Sequence, residues 1–339
     1  MNVTPGMVCS HHHLYSALAR GMPPPPKTPG SFQEILEQIW WRLDASLDAE
    51  MIRWSAMLGA LEALESGTTG IVDHHESPNA IEGSLSVIEE ACREVGVRVL
   101  ACYGVTDRHG ADGARRGLEE NRRFISEGGN GLVGIHAAFT CNPETLEAAA
   151  GLAGELGVGA HIHVAEGPAD RDSARHLKGL TDERWLLSHC VELADDHGLA
   201  GTILHQPRSN LNNSVGYANP VRFANPVALG TDGIGANMIE AFRLAYVMQR
   251  SVDVTATPET AWGWLENGWN LIPECRNDRV TWSYDPMDPW HLAFTPGVRP
   301  LRIEVDGEVI FENGSPTRVD ATEVRAKARE QAARLHARL

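Results

Sequence analysis

Met7-Val8-Cys9-Ser10-His11-His12-His13-Leu14 is an apolar run that ends in three histidines. Side chains on a strand alternate between its two faces, so His11 and His13 are expected on one face and His12 on the other. Two imidazoles two residues apart at a strand tip can hold one metal ion from one side. Three histidines are short for a purification tag, and neither Pro5-Gly6 before them nor Leu14-Tyr15-Ser16 after them reads as a linker.

Seven further apolar runs follow, and several end in the same way. They are Gly67 to His75, Val97 to Tyr103, Gly131 to Phe139, Val158 to Val164, Trp185 to His189, Thr202 to His205 and Val227 to Asp232. Helical periodicity separates most of them, over 32–47, 51–64, 80–95, 114–125 and 144–156. Near-continuous apolar strands alternating with helices mean a parallel sheet covered on both faces. Eight such strands predict an α/β fold, a closed (β/α)8 TIM-like barrel, with its chemistry at the C-terminal ends of the strands. An open doubly wound sheet is the alternative, but no Gly-rich phosphate loop follows the first strand.

The barrel is expected over 1–285, interrupted early by the rigid loop Met22-Pro23-Pro24-Pro25-Pro26. The stretch from about Val280 reads as irregular, and the tryptophans of 262–290 as packing. Within 286–320, Leu301 to Val305 and Val309 to Phe311 are joined through Asp306-Gly307, a hairpin signal. They predict a small, incomplete C-terminal β element, followed over 321–339 by an amphipathic helix. The 339 residues are 42% hydrophobic and 22% charged, the balance of a globular protein. A net charge of −16 argues against nucleic acid and anionic membranes as partners. No apolar run approaches the roughly 20 residues of a membrane span. The six cysteines have no paired spacing, so reduced thiols and a cytoplasmic setting are expected.

Strand-end groups supply the candidate site: His11, His13, His163, His189 and Asp232. Three imidazoles and a carboxylate converging at one end of a barrel suit zinc, or iron, with a position left open for water. Glu166, three residues past His163, is placed to keep a proton near neutral pH and donate it to a bound substrate. His161 shares a strand face with His163 and competes with it for the ligand position. His75, His136 and His205 also stand at strand ends, as substrate contacts or as structural residues, whereas His12 and His74 are expected to point away. Arg208 and Asn210 shape either the loop over the pocket or a turn.

Together Pro5-Gly6-Met7-Val8-x-x-His11-x-His13, His163-x-x-Glu166, Ser188-His189-Cys190-Val191 and Gly230-Thr231-Asp232-Gly233 resemble the amidohydrolase superfamily, in its deaminase and chlorohydrolase branch. Asp73-His74-His75-Glu76-Ser77-Pro78-Asn79 and His205-Gln206-Pro207-Arg208-Ser209-Asn210 are similar to SsnA-type aminohydrolases. The resemblance implies one divalent metal, zinc before iron, held by His11, His13, His163 and Asp232. His189 would hold the attacking water, with Asp232 sharing its proton, and Glu166 would shuttle the proton. No lysine lies in Leu132–Phe139, so the carbamylated bridge of two-metal relatives has no source. The implied activity is an aminohydrolase that releases ammonia from a small heterocyclic or amidine-like molecule. Hydrolysis of a cyclic amide or a C–halogen bond is the rival, and a truncated barrel that binds metal without turnover is the reading outside enzymes. Members of the superfamily usually carry strands ahead of the Pro-Gly motif. The strands at 301–313 are therefore expected to lack partners and expose edges, unless they pair across a homodimer.

Overall fold

The structure is a computed structural model and describes residues 2–339. Parallel strands form its centre: β2 (Met7–His13), β3 (Thr68–His75), β4 (Arg98–Tyr103), β5 (Val133–Ala137), β6 (Ala160–Val164), β7 (Leu186–His189), β8 (Thr202–His205), β9 (Val227–Leu229) and β10 (Asp232–Gly233). One parallel sheet runs β10-β2-β3-β4 and another β5-β6-β7-β8-β9. They meet at two seams. Isolated bridges Ala101–Gly131 and Val105–Ile135 join β4 to β5. The chain itself joins β9 to β10, which pairs with β2 at Asp232–His12. The eighth strand of the sequence reading is thus β9 and β10 together, and the ring is the expected TIM-like barrel.

Alternation sorts the strand residues. Val8, Val72, Leu100, Leu132, Leu186, Leu204 and Ala228 fill the barrel, plugged by Ile272 and Cys275. That plug closes the end where strands begin, because Gly6 N donates to Cys275 O at 3.0 Å. The opposite end is left for polar side chains. The helices include α1 (Phe32–Ile35), α2 (Trp41–Ser46), α3 (Ala49–Glu65), α4 (Ser84–Val95), α5 (Gly110–Ser126), α6 (Pro143–Leu156), α7 (Ser173–Leu177), α8 (Pro207–Asn212) and α9 (Met238–Val252), of which the longer ones, α3 to α6 and α9, meet the other strand face. Between α1 and α2 the expected continuous helix opens into a π-turn, Leu36–Trp40. Residues 190–201, linking β7 to β8, contain no helix. No helix among the described residues is long and apolar enough to cross a membrane, and all six cysteines are free.

The C-terminal β element differs from expectation. β1 (Val3–Thr4), β11 (Arg279–Trp282), β12 (Pro300–Val305), β13 (Glu308–Glu312) and β14 (Ser315–Pro316) form one antiparallel sheet in that order. The strands at 301–313 therefore find partners within the chain, and the stretch near Val280 is a strand rather than irregular. Trp282 explains the register. It is fully buried, and its Nε1 donates to Thr4 Oγ1 at 2.8 Å, tying the sheet to the start of the chain. Val3–Thr4 is too short to show a strand periodicity, so this pairing leaves no pattern in the residues. The last helix, α10 (Ala321–His336), lies against α3. Arg325 pairs with Glu65 at 2.6 Å and His336 Nε2 meets Leu18 O at 2.9 Å.

Candidate metal centre and cavity

His11 and His13 share the barrel interior for a reason that strict alternation misses. Between the pairs Cys9–Ile71 and His12–Asp73, β2 has one more residue than β3. Such a bulge turns two consecutive residues to one side. Val8 and Ser10 approach Gly268 at the barrel floor, while His11 and His13 face His163 with ring centroids 5.2 and 5.3 Å away. His12 faces outward and meets Thr231 Oγ1 at 3.0 Å. Gly230 has no room for a side chain: a Cβ there would lie 2.7 Å from His11 N. That close approach sets Asp232 against the two histidines.

Ligand atoms of His11, His13, His163 and Asp232 all lie within 4.8 Å of one another, a group able to hold a metal ion. Asp232 Oδ1 is 3.2 Å from His11 Nε2 and 3.0 Å from His13 Nε2. Its Oδ2 accepts from the Ser209 hydroxyl on α8. The buried Nε2 atoms of His163 and His11 have no hydrogen-bond partner of proper geometry. Buried polar nitrogens are rarely left so, and here they converge on one carboxylate, so the residues fit a divalent cation. Burial pushes His11 down to about 3 and His163 well below the usual histidine range. For His13 the same burial is outweighed by Asp232, which raises it to about 9. Asp232 itself is held low against its burial by the close approach of His11 and His13 and by the charge of His13.

His11 and His13 are fixed from behind. His13 Nδ1 donates to His74 O at 2.5 Å. His11 Nδ1 lies 2.9 Å from His161 Nε2, which is 3.1 Å from Ser188 Oγ. His161 thus sits one layer below His163 and orients His11. Such outer partners typically carry 10–100-fold in metal affinity. His161→Ala is expected to weaken divalent-metal affinity by about that factor, measured by chelator competition. Unchanged affinity in a folded variant would remove this role.

Glu166 and His189 complete the centre beside Asp232. His189 Nε2 is 3.5 Å from Glu166 Oε2, and its Nδ1 pairs with Asn210 Oδ1 at 2.8 Å. Burial first, then the charge of Asp232, raises Glu166 well above the usual carboxyl range, whereas burial lowers His189. Ala165, His189 and Asp232 all adopt positive φ, 48°, 72° and 63°. Left-handed backbone in residues with a side chain is strained and collects at functional sites. A cavity of about 660 Å³, open mouth included, lies over these groups and is also lined by Trp40, Trp41, Phe139 and His136.

Three histidines fall elsewhere than the sequence suggests. Val72 faces inward, so His74 does too, its ring 4.6 Å from His163. His75 therefore faces outward, bonded to Ser77 Oγ at 2.9 Å and away from the cavity. Leu204 fills the barrel, so His205 also points outward, between Tyr217 and Trp264. Strand-end position suggested all three roles, and side-chain parity decided them. His136 does line the cavity, 2.7 Å from Thr140 Oγ1. Sequence reasoning did not single out Ser209, Trp40, Trp41, Asp44 or Glu76. Ser209 was within reach, in the quoted stretch that also holds Asn210. Arg208, by contrast, pairs with Glu240 at the surface.

Fold and donor set define a parallel α/β barrel with a site able to hold a metal ion. Residues 2–264 match the amidohydrolase family, and the chain belongs to that family. Among curated relatives, a 5'-deoxyadenosine deaminase of Methanopyrus kandleri is 27% identical, the match covering 98% of this chain and 86% of the relative. A 5-methylthioadenosine/S-adenosylhomocysteine deaminase of Symbiobacterium thermophilum is 28% identical, with coverage of 98% and 86%. An adenosine deaminase from Xanthomonas campestris, solved with bound zinc, shares the fold with a TM-score of 0.84 at 21% identity, covering 99% of this chain and 86% of the other. An atrazine chlorohydrolase of Arthrobacter aurescens, complexed with zinc, superposes with a TM-score of 0.81 at 21% identity, covering 97% and 88%.

Proposed function

We propose that this chain is a metal-dependent aminohydrolase that replaces an amino group on a small heterocyclic ring with oxygen and releases ammonia. The observation that carries the reading is the juxtaposition of the Glu166 carboxyl, 3.5 Å from the His189 imidazole, with the His11, His13, His163 and Asp232 donors. Names of the relatives narrow the substrate class to 6-aminopurine nucleosides. Zinc fits three imidazoles and a carboxylate, and when bound there it would supply Lewis-acid activation of water at neutral pH.

The side chains perform the remaining steps. His189 and Asp232 take a proton from the attacking water as its oxygen bonds to the amine-bearing carbon. Glu166 gives its proton to the adjacent ring nitrogen, so the carbon accepts the oxygen without building charge on the ring. The C–N bond then breaks: the proton held at His189 or Asp232 leaves with the amine as ammonia, and the proton of the newly added hydroxyl returns to Glu166 as the C=O forms. One water and one amine thus yield one oxo compound and one ammonia. Trp40, Trp41 and Phe139 give the cavity flat apolar walls suited to a planar ring.

A coupled assay for ammonia over a panel of aminated purines, pyrimidines and triazines tests the reading. Ammonia release at kcat/KM above about 10⁴ M⁻¹s⁻¹ for at least one 6-aminopurine nucleoside is expected. Chloride release from a chlorinated triazine, with no ammonia from any amine, would favour the rival C–halogen chemistry.

A further inference from the structure

Asn213 lines the cavity and is buried there, yet it takes no part in the steps above. It caps the C-terminal end of α8. Ser214 N donates to Leu211 O at 3.1 Å and Val215 N to Asn210 O at 3.0 Å, with Ser214 at a φ of 58°. These are the two bonds that close a helix on a left-handed residue. A serine keeps that conformation only where its surroundings over-determine it, so the Asn213 backbone is firmly placed.

Ser209 and Asn213 stand four residues apart and share one face of the helix. Asn213 Nδ2 donates to Ser209 Oγ at 3.3 Å, and the Ser209 hydroxyl donates to Asp232 Oδ2. The Asn213 amide also hydrogen-bonds the Glu166 carboxyl. A carboxamide nitrogen carries two hydrogens, so one can anchor on Ser209 while the other reaches Glu166. Asn210, beside Ser209, meets the His189 ring at 2.8 Å. One short helix therefore touches all three groups that handle protons: Asp232 through Ser209, His189 through Asn210 and Glu166 through Asn213.

Glu166 needs such a hold. It follows Ala165, whose φ is 48°, and His189 Nε2, at 3.5 Å, is too far for a firm hydrogen bond. A glutamate side chain has much rotamer freedom to lose, and it can give its proton only from hydrogen-bonding distance of the ring nitrogen. We infer that Asn213 is a positioning residue: its amide, braced on Ser209, aims the Glu166 carboxyl at the ring nitrogen of the substrate. The inference rests on the aminohydrolase reading, because that reading makes Glu166 the proton donor.

The test is steady-state ammonia release by metal-loaded protein from adenosine, or from the fastest amine of the panel above if adenosine is inert. Asn213→Leu keeps the volume and removes both donors. It is expected to lower kcat about 10–100-fold, the scale of a misaimed reacting group, with KM within threefold of wild type and the metal retained. A merely structural role would not act through Glu166, and a double-mutant cycle reads the difference. On the Glu166→Gln background, Asn213→Leu should cost less than a further threefold in kcat. A fall of less than fivefold in the single variant, a loss carried by KM or by metal release, or a further loss above threefold on the Glu166→Gln background overturns the inference, while wild-type ammonia release still supports the aminohydrolase reading. If the wild type releases no ammonia from any amine, both fall together. Should Glu166→Gln be too slow to measure, the split between kcat and KM decides alone, and Asn213→Ala replaces Asn213→Leu if the latter fails to fold.

Discussion

His163→Ala is expected to empty the metal centre. Protein purified without chelator should carry about one divalent ion per chain, and the variant less than about a tenth of that, by elemental analysis. The magnitude follows from the ligand count. Site energies of about 10–16 kcal/mol shared over four ligands give each roughly 3 kcal/mol, or about two decades in affinity. Among the described residues, no other imidazole belongs to the His11, His13, His163 and Asp232 group. His74 lies beside His163, but its Nε2 is committed to Ile135 O at 3.1 Å. His161 lies a layer lower, engaged with His11 and Ser188. Far-ultraviolet circular dichroism should stay native, because the barrel core is formed by other residues. About two ions per chain in the wild type would show that the ligands are misassigned, and full metal retention in the variant would remove His163 from the set.

Glu166→Gln is the complementary change, in which metal stays and turnover goes. Glutamine keeps the shape and one acceptor but has no acidic proton to give the ring nitrogen. General-acid contributions of about 10²–10⁴ set the expected loss in kcat. The pH profile adds a sign. The donor form of Glu166 is the protonated one, and burial together with Asp232 raises its pKa in the folded protein. Wild-type activity should therefore be lost as pH rises through that raised value. The variant should lack this limb. A variant with near wild-type kcat and bound metal would assign the proton to another group.

Much of the barrel was legible because its strands are continuous apolar runs with polar tips. The donors His11, His13, His163 and Asp232 sit in motifs whose order matches strand order, and the structure brings them within one ion's reach. What stayed hidden is instructive. Parity at a strand end turns on a single residue, so His74 and His75 exchanged expected faces, and His205 went to the helix layer. The supports of the site, Ser209 to Asp232 and Asn210 to His189, come from the short helix α8, too short to announce itself by periodicity. Asp44 and the two tryptophans beside it lie in what reads as an ordinary amphipathic helix. Their approach to the cavity depends on a π-turn that no residue pattern marks. The in-chain partner of the strands at 301–313 is β11, which reads as irregular in sequence, and β1, Val3–Thr4, which pairs on its other side, is two residues long.

The seam between β4 and β5 has one more consequence. Only two isolated bridges span it, yet His11 and His13 belong to the sheet on one side and His163 to the sheet on the other. An ion held by all three would rivet the two half-rings together. Binding energy spent there adds to folding stability by mass action, about 2.7 kcal/mol at a free metal concentration one hundred times Kd. Amide hydrogen exchange along Ala101–Val105 and Gly131–Ile135 would then slow on loading, and a catalytic centre would double as the fastener that keeps the ring shut.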